Sequence, residues 1–392
     1  MKLSASPQIR ALISPFGSAS SAALSALALI VAANGGQLQE IAGYAFGLSV
    51  AAIAGALLGG GTTLNFATGS NSTRQAVRRV RAQIVGPTTL ILSSLASIVF
   101  GHLSGIDTSA ALGGSLAGTA NNLSEIEVAY LRGLLRTPSL IAVDTLTKSG
   151  AVVLTLLNTS VATAIATTSA IRFIILLYLA WHDPSRSGHH RLATCMRLAY
   201  DGDLFGTSLL YALIDRSPFL LMPLTAPPYL AGVYSTAMSM QQAASGALIS
   251  APQTLLSVRR EAGAQRWMRG VEAIAIGAAT AGALSAVVAG DKIQSLMSLS
   301  LAANDAAIWV YVWASLPIAL FNRTQHFRLI HSGRRRHVSA LLMMTVISLL
   351  GCAAFGLAHG SANIVSVAPL AGEAVGLIAL VTVVRPITKE HA

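Results

Sequence analysis

LFGTSLLYALIDRSPFLLMPLTAPPYLAGVYSTAMSMQQAASGALISAPQTLLSVRR, residues Leu204 to Arg260, decides how this chain is read. It is two apolar runs joined by a short Pro-rich turn, with Asp215 and Arg216 in the middle of the first run. A charged side chain near the centre of a bilayer costs at least ~2.5–3.5 kcal/mol. Two adjacent ones persist only where they face a partner or a wet interior. Neighbours on a helix point about 100° apart, so each reaches a different helix rather than the other. The stretch therefore predicts a multi-pass membrane protein with a hydrated interior touched by these residues.

Composition agrees. The chain has 392 residues, of which 53% are hydrophobic and only 10% charged, with a mean hydropathy of +0.64. Soluble domains carry about 25% charged residues, so an ordinary cytosolic enzyme is excluded. A net charge of +11 raises the question of nucleic acid. The basic residues, however, fall in short runs between apolar stretches, which is a topology signal and not a phosphate-binding groove; no nucleic acid partner is expected. Cys195 and Cys352 stand far apart and support neither a disulfide framework nor a thiolate metal site. His182, His189 and His190 share a basic loop without an acid or cysteine to complete a metal spacing, so no metal and no cofactor is expected. No cleavable leader stands out at the start of the chain.

A helix needs about 20 apolar residues to cross the hydrocarbon core. On that ruler twelve spans follow one another: about 11–33, 41–66, 84–103, 110–130, 138–157, 162–181, the two runs within 204–260, then 271–289, 293–321, 338–358 and 363–384. The glycine run Gly59-Gly60-Gly61 lies inside the second span and favours a kink or very close helix packing. The stretch with Arg74, Arg78, Arg79 and Arg81 reads as a cytoplasmic loop, as does NRTQHFRLIHSGRRRH. The fourth span is unusually polar, with Asn121, Asn122, Glu125 and Glu127. Glu127 is expected in interfacial water, and Glu125 is left open. Of the 26 Lys and Arg, all but four fall on one side; the exceptions are Lys148, Arg172, Arg216 and Lys292. The positive-inside bias then places both termini in the cytoplasm, in the inner (plasma) membrane.

Several charges lie inside spans. Asp144 and Lys148 are four residues apart in the acid-before-base order that favours a local ion pair. Arg172 has no acid nearby in sequence, so its partner comes from another helix, water or a substrate. Asp305 and Glu373 lie in spans ten and twelve. The basic loop around Arg186 to Arg197 divides the helices six and six, residues 1–200 and 201–392, which suggests a parallel repeat. The expected fold is all-α: about twelve transmembrane helices in two six-helix bundles.

Asp215-Arg216, then Gly232-Val233-Tyr234, then Pro252 before Arg259-Arg260, resembles the polysaccharide flippases of the multidrug/oligosaccharidyl-lipid/polysaccharide exporter superfamily. Arg132 and Arg136 before an apolar fifth helix fit more loosely, and the resemblance is specific only across 204–260. It implies a carrier, not an enzyme, that turns a polyprenyl-diphosphate-linked saccharide across the membrane by alternating access for cell-surface polysaccharide synthesis. The physics agrees, because an anionic diphosphate loses its hydration in hydrocarbon. Arginine forks replace that hydration well. Arg172, Arg216 and Asp215 are the expected substrate-binding residues. Asp144, Lys148, Asp305 and Glu373 are expected to carry a coupling proton or sodium ion, or to balance charge. The partners are thus the lipid-linked substrate, membrane lipids and a coupling ion. The alternative is a cation-coupled multidrug or metabolite antiporter of the same superfamily, which should hold more intramembrane acids than bases. An integral membrane enzyme or a scaffold stands further back, for want of a long loop or a catalytic constellation.

Overall fold

The computed structural model describes residues 7–62, 71–133, 137–181, 192–200, 202–257, 264–288, 292 and 303–389. Arg136, Arg186, His182, His189, His190, Arg259 and Arg260 lie outside the described residues, as do the side chains of Arg132, Pro252 and Asp305.

The described residues form α-helices joined by short turns: α1 (Pro7–Asn34), α2 (Leu38–Gly59), α3 (Asn71–Val80), α4 (Gly86–Ser104), α5 (Thr108–Gly133), α6 (Thr137–Leu156), α7 (Val161–Trp181), α8 (Leu192–Ala199), α9 (Gly202–Leu221), α10 (Pro228–Ser257), α11 (Ala264–Val288), α12 (Ala303–His331), α13 (Arg335–Ala358) and α14 (Ala362–Lys389). A five-residue π turn, Arg81–Val85, joins α3 to α4 as one rod. Counting that rod once and setting the short α8 aside leaves twelve long helices among the described residues. Seven are long and apolar enough to cross a membrane by length and composition. The other five are α1, α5, α9, α10 and α12. Of these, α5 and α9 carry the charges noted above, and α12 contains Asn322, Arg323 and Arg328. The protein is an all-α, multi-pass membrane protein.

The second span stops at Gly59, where Gly60 and Gly61 turn the chain, and not near residue 66, and two further boundaries differ from the sequence reading. Residues 71–81 are helix and not loop. Pro87 supplies the reason for the π turn: it has no N–H, and its ring crowds the carbonyl four residues back, so the helix widens. Gly86 N–H accordingly reaches back five residues to the Arg81 carbonyl. The second of these is α12, which runs on through the polar sequence NRTQHFRLIH to His331. The turn before α13 is only Ser332-Gly333-Arg334, with Gly333 at φ 82°.

The helices gather into two compact units, residues 31–235 and residues 1–30 with 236–392. In the first, α2 packs on α5 along small residues spaced by four. Gly43, Gly47, Ala51 and Gly55 face Ala110, Gly114, Gly118 and Asn122, and Gly59 meets Val85 of the π turn. A Cβ added at Gly47 would sit 1.8 Å from the Ala111 carbonyl oxygen, and one at Gly114 would sit 2.1 Å from that of Tyr44. Such contact is how helices associate where lipid removes the hydrophobic drive between them. The Ser97 and Ser115 hydroxyls bond at 2.8 Å across α4 and α5. The Gly59-Gly60-Gly61 run serves packing: Leu204 and Phe205 at the start of α9 fill the space where its side chains would be.

The polar end of α5 is paired rather than solvated. Glu127 is buried and takes the Arg78 guanidinium, whereas Glu125 has 60% of its side chain exposed. This reverses the sequence expectation for Glu127, because α3 is a helix and delivers Arg78 to it. Arg81, 5% exposed, donates to the Thr62 hydroxyl at 2.8 Å and to the Asn122 side-chain oxygen at 3.0 Å.

In the second unit α13 and α14 form a tight hairpin. Gly356 meets Val365, and Gly372 and Gly376 meet Thr345. Glu272 on α11 pairs with Arg328 on α12. Ile249, Ala275, Ala279, Leu316 and Leu320 form its core across α10, α11 and α12.

Candidate functional site

The α6–α7 hairpin brings together three of the residues singled out from the sequence. Arg172 Nε donates to Asp144 Oδ1 at 2.6 Å across the two helices. The partner of Arg172 is thus an acid on the neighbouring helix. The local Asp144–Lys148 pair is not the close contact here, because Asp144 points its carboxylate at α7. Lys148 remains within electrostatic range of both. One carboxylate therefore serves two cations, and the group carries a net charge of +1.

The faces of these helices locate the group. On α6, Leu146 and Val153 are exposed on the side opposite Asp144 and Lys148, while Thr147, Ala151 and Thr155 beside them are buried. On α7, Ile174 and Tyr178 are exposed, while Thr168, Ser169 and Leu176 flank Arg172 and are buried. The apolar exposed faces suit lipid, and the charges turn toward protein. The Arg172 and Asp144 side chains nevertheless keep 17% and 23% of their surface open. A charged group that faces inward and stays partly open has the properties of a lining of a wet interior.

The second group centres on Arg216 in α9. Pro218 lies inside this helix and withholds the N–H that the Ile214 carbonyl would otherwise accept. A polar backbone group is thereby freed one residue before the Asp-Arg pair. The Arg216 guanidinium lies 5.8 Å from the Phe219 ring centroid, within the range of a cation–π contact. Phe219 in turn meets Tyr234 edge-on, with centroids 6.2 Å apart. Gly232 lets α10 approach α2 closely enough to set this pair: a Cβ there would sit 2.1 Å from the Leu38 carbonyl oxygen. Tyr44 on α2 feels the charge of Arg216. Both Phe219 and Tyr234 are sealed, and the Tyr234 hydroxyl has no hydrogen-bond partner among the described residues. Asp215 is half-buried on the same helix.

Arg172 and Arg216 both belong to the compact unit 31–235, as do Asp144, Lys148 and Asp215. Glu373 belongs to the other, where Asn322 Nδ2 donates to its Oε2 at 2.8 Å. Sequence reasoning missed Phe219, Tyr44 and Asn322. The first was visible as an aromatic three residues after an arginine, a spacing that stacks the two on a helix. Asn322 was hidden by its assignment to a loop. Tyr44 had no local signal, because its role comes from a neighbouring helix.

Twelve long helices among the described residues, with exposed apolar faces on α6 and α7 and the charges turned inward, define an all-α multi-pass membrane fold. The chain has the fold of the multidrug/oligosaccharidyl-lipid/polysaccharide exporter superfamily. It is similar to the lipid II flippase MurJ in an inward closed conformation, at a TM-score of 0.68 and 12% identity, covering 93% of this chain and 86% of that one. It is also similar to a multidrug resistance transporter of the MATE family in an inward-facing conformation, at 0.64 and 14% identity over 94% and 95% of the two chains. A superfamily transporter from Pyrococcus furiosus, described as having a binding pocket of reverse polarity that suggests a different function, matches at 0.57 and 12% over 98% and 96%. No protein-family model matches the sequence, and no curated protein matches it.

Proposed function

We propose that the protein flips a polyprenyl-diphosphate-linked saccharide across the cytoplasmic membrane by alternating access, in the service of cell-surface polysaccharide synthesis. The observation that carries this reading is the α6–α7 group, in which Arg172 is already balanced by Asp144 and Lys148 adds a second cation. A lone excess cation inside a membrane protein is costly until an anion arrives. A diphosphate supplies that anion, and guanidinium forks match its oxygens. Arg216, stacked on Phe219, is the second substrate ligand in this proposal, with Asp215 beside it. The likeness to a lipid II flippase supports a substrate of the same chemical kind. The lipid tail stays in the bilayer while the head group passes through the protein. The six-and-six division into residues 1–200 and 201–392, the cytoplasmic termini and a coupling proton or sodium ion held among Asp144, Asp305 and Glu373 belong to the same proposal.

The second reading, a cation-coupled multidrug or metabolite antiporter, has one specific observation in its favour. Glu373 is a buried carboxylate in an apolar helix, held by a neutral amide. The likeness to MATE transporters fits it as well.

The test is leaflet reorientation of a labelled polyprenyl-diphosphate oligosaccharide in proteoliposomes, comparing wild type with Arg216→Ala. Transport by the wild type and its loss in the variant are the expected results. Transport by both would keep the flippase and reduce Arg216 to a structural charge. If no such lipid moves while a cationic dye exchanges against protons, the antiporter replaces it.

A further inference from the structure

The rod made of α3, the π turn and α4 is longer than a bilayer core. Its candidate span, Ser72–Ser104, has 33 residues, or about 50 Å at 1.5 Å per residue, against a core of about 30 Å. The 19 residues of α4 alone come to about 28 Å and fill that core. The basic α3 therefore stands in the headgroup layer or beyond.

The short helix α8 is fastened at the same level. Cys195 and Ala199 pack on Ala76, Val77 and Val80 of α3, and the Tyr200 hydroxyl donates to the Leu58 carbonyl of α2. Its apolar face is wider than α3 covers. Leu192 and Met196, one turn apart, remain 36% and 40% exposed next to the buried Cys195–Ala199 edge. Arg197 on α8 and Arg79 on α3 are exposed beside them. Together the two helices hold Arg74, Arg78, Arg79 and Arg197 and no acid. Arg78 is taken up by Glu127. Open apolar side chains beside solvated arginines, at the mouth of a membrane span, are the ingredients of an interfacial helix.

We propose that α3 and α8 form a docking surface for the headgroups of anionic phospholipids, with Leu192 and Met196 set into the upper acyl chains. Charge complementarity selects this occupant, since a surface whose own helices bring Arg74, Arg79 and Arg197 beyond the Glu127-paired Arg78 repels basic partners and gains from a negative leaflet. The proposal stands independently of the transported substrate.

The test uses the full-length protein in vesicles of equal parts phosphatidylcholine and phosphatidylglycerol. After extraction, native mass spectrometry counts the phosphatidylglycerol retained. Wild type is expected to retain it in preference to phosphatidylcholine. Arg79→Gln with Arg197→Gln is expected to weaken retention by roughly fivefold per charge. Leu192→Gln with Met196→Gln is expected to weaken it with the charges intact. Gel filtration of each variant shows that it is folded. Equal retention in the arginine variant overturns the proposal. So does an equal loss in Arg334→Gln with Arg336→Gln, which removes two charges elsewhere. Displacement of the lipid by inorganic pyrophosphate would identify a site for free anions instead.

Discussion

Lys148→Gln removes one charge from the α6–α7 group and leaves the Arg172–Asp144 pair in place. The net charge falls from +1 to zero. A charge-assisted contact to a substrate phosphate contributes about 1.5–3 kcal/mol, so the apparent affinity for the lipid-linked substrate should fall about 10- to 150-fold. Because the pair that joins α6 to α7 is untouched, expression and thermal stability should stay near wild type. The decisive variant is the double one. Asp144→Asn with Lys148→Gln leaves Arg172 as the only charge and restores +1, so it should recover most of the lost affinity. Arg172→Gln reaches zero by another route, leaving Asp144 and Lys148 four residues apart to pair, and should resemble Lys148→Gln. The assay is the initial rate of leaflet reorientation in proteoliposomes as a function of substrate density. Transport that ignores the count, with Lys148→Gln equal to wild type or the double variant as poor as the single, would refute the reasoning.

Three further outcomes follow from the packing. Gly47→Leu should lower stability by about 1–3 kcal/mol or more, since its Cβ alone would meet the Ala111 carbonyl oxygen at 1.8 Å. Gly246→Ala, where a Cβ meets nothing within 4 Å, should be neutral or stabilising by about 0.5–1 kcal/mol. Survival of monodisperse protein after heating separates the two. Arg81→Met should cost about 1–3 kcal/mol for each buried side-chain acceptor it abandons, the Thr62 hydroxyl and the Asn122 amide oxygen, besides its bond to the Asn122 backbone carbonyl, and Arg81→Lys should recover only part. The same heating assay reads it. At the start of α5 the Ser109 hydroxyl, with the Ala110 and Ser109 N–H groups, holds the Asp107 carboxyl below the usual carboxylate range. A depressed pKa gives stability that is present above the unfolded value, about 3.9, and lost as pH falls through the folded one. Asp107→Asn should flatten this acid loss, a cap effect of about 0.5–1 kcal/mol seen as Tm against pH.

Much of the fold was legible because twelve apolar runs of the right length, separated by basic or Gly-rich turns, leave few alternatives. The misreadings share a cause. Residues 71–81 and the sequence after Phe321 are polar, and a hydropathy ruler ends a span where water begins, whereas a helix ends only where its hydrogen bonds do. Glu127 was placed in water because the fourth span, too polar to face lipid, reads as ending before it; its partner Arg78 arrives from 49 residues away. The small-residue seam on α2 was visible in principle as a period of four from Gly43 to Gly59. At the candidate site, the charges announced themselves by their cost in an apolar run, but their partners did not. The Asp144–Arg172 pair requires knowing that two helices face each other, and the edge-on contact of Tyr234 with Phe219 requires knowing where Tyr234 sits.

The π turn between Arg81 and Val85 makes the basic end of the chain unusually sensitive to length. Each residue of an α-helix advances the side-chain direction by about 100°. Deleting one residue there would remove the extra residue of the π turn and leave Pro87 to bend the rod, and everything before it would rotate by about that angle. Arg78 would swing off Glu127, and Val77 and Val80 would turn away from Cys195 and Ala199. Substitutions at Ala82 or Gln83, both exposed, leave this phase unchanged. In this segment, then, the number of residues should be held more tightly than their identity, and natural variation should appear as exchanges without gaps.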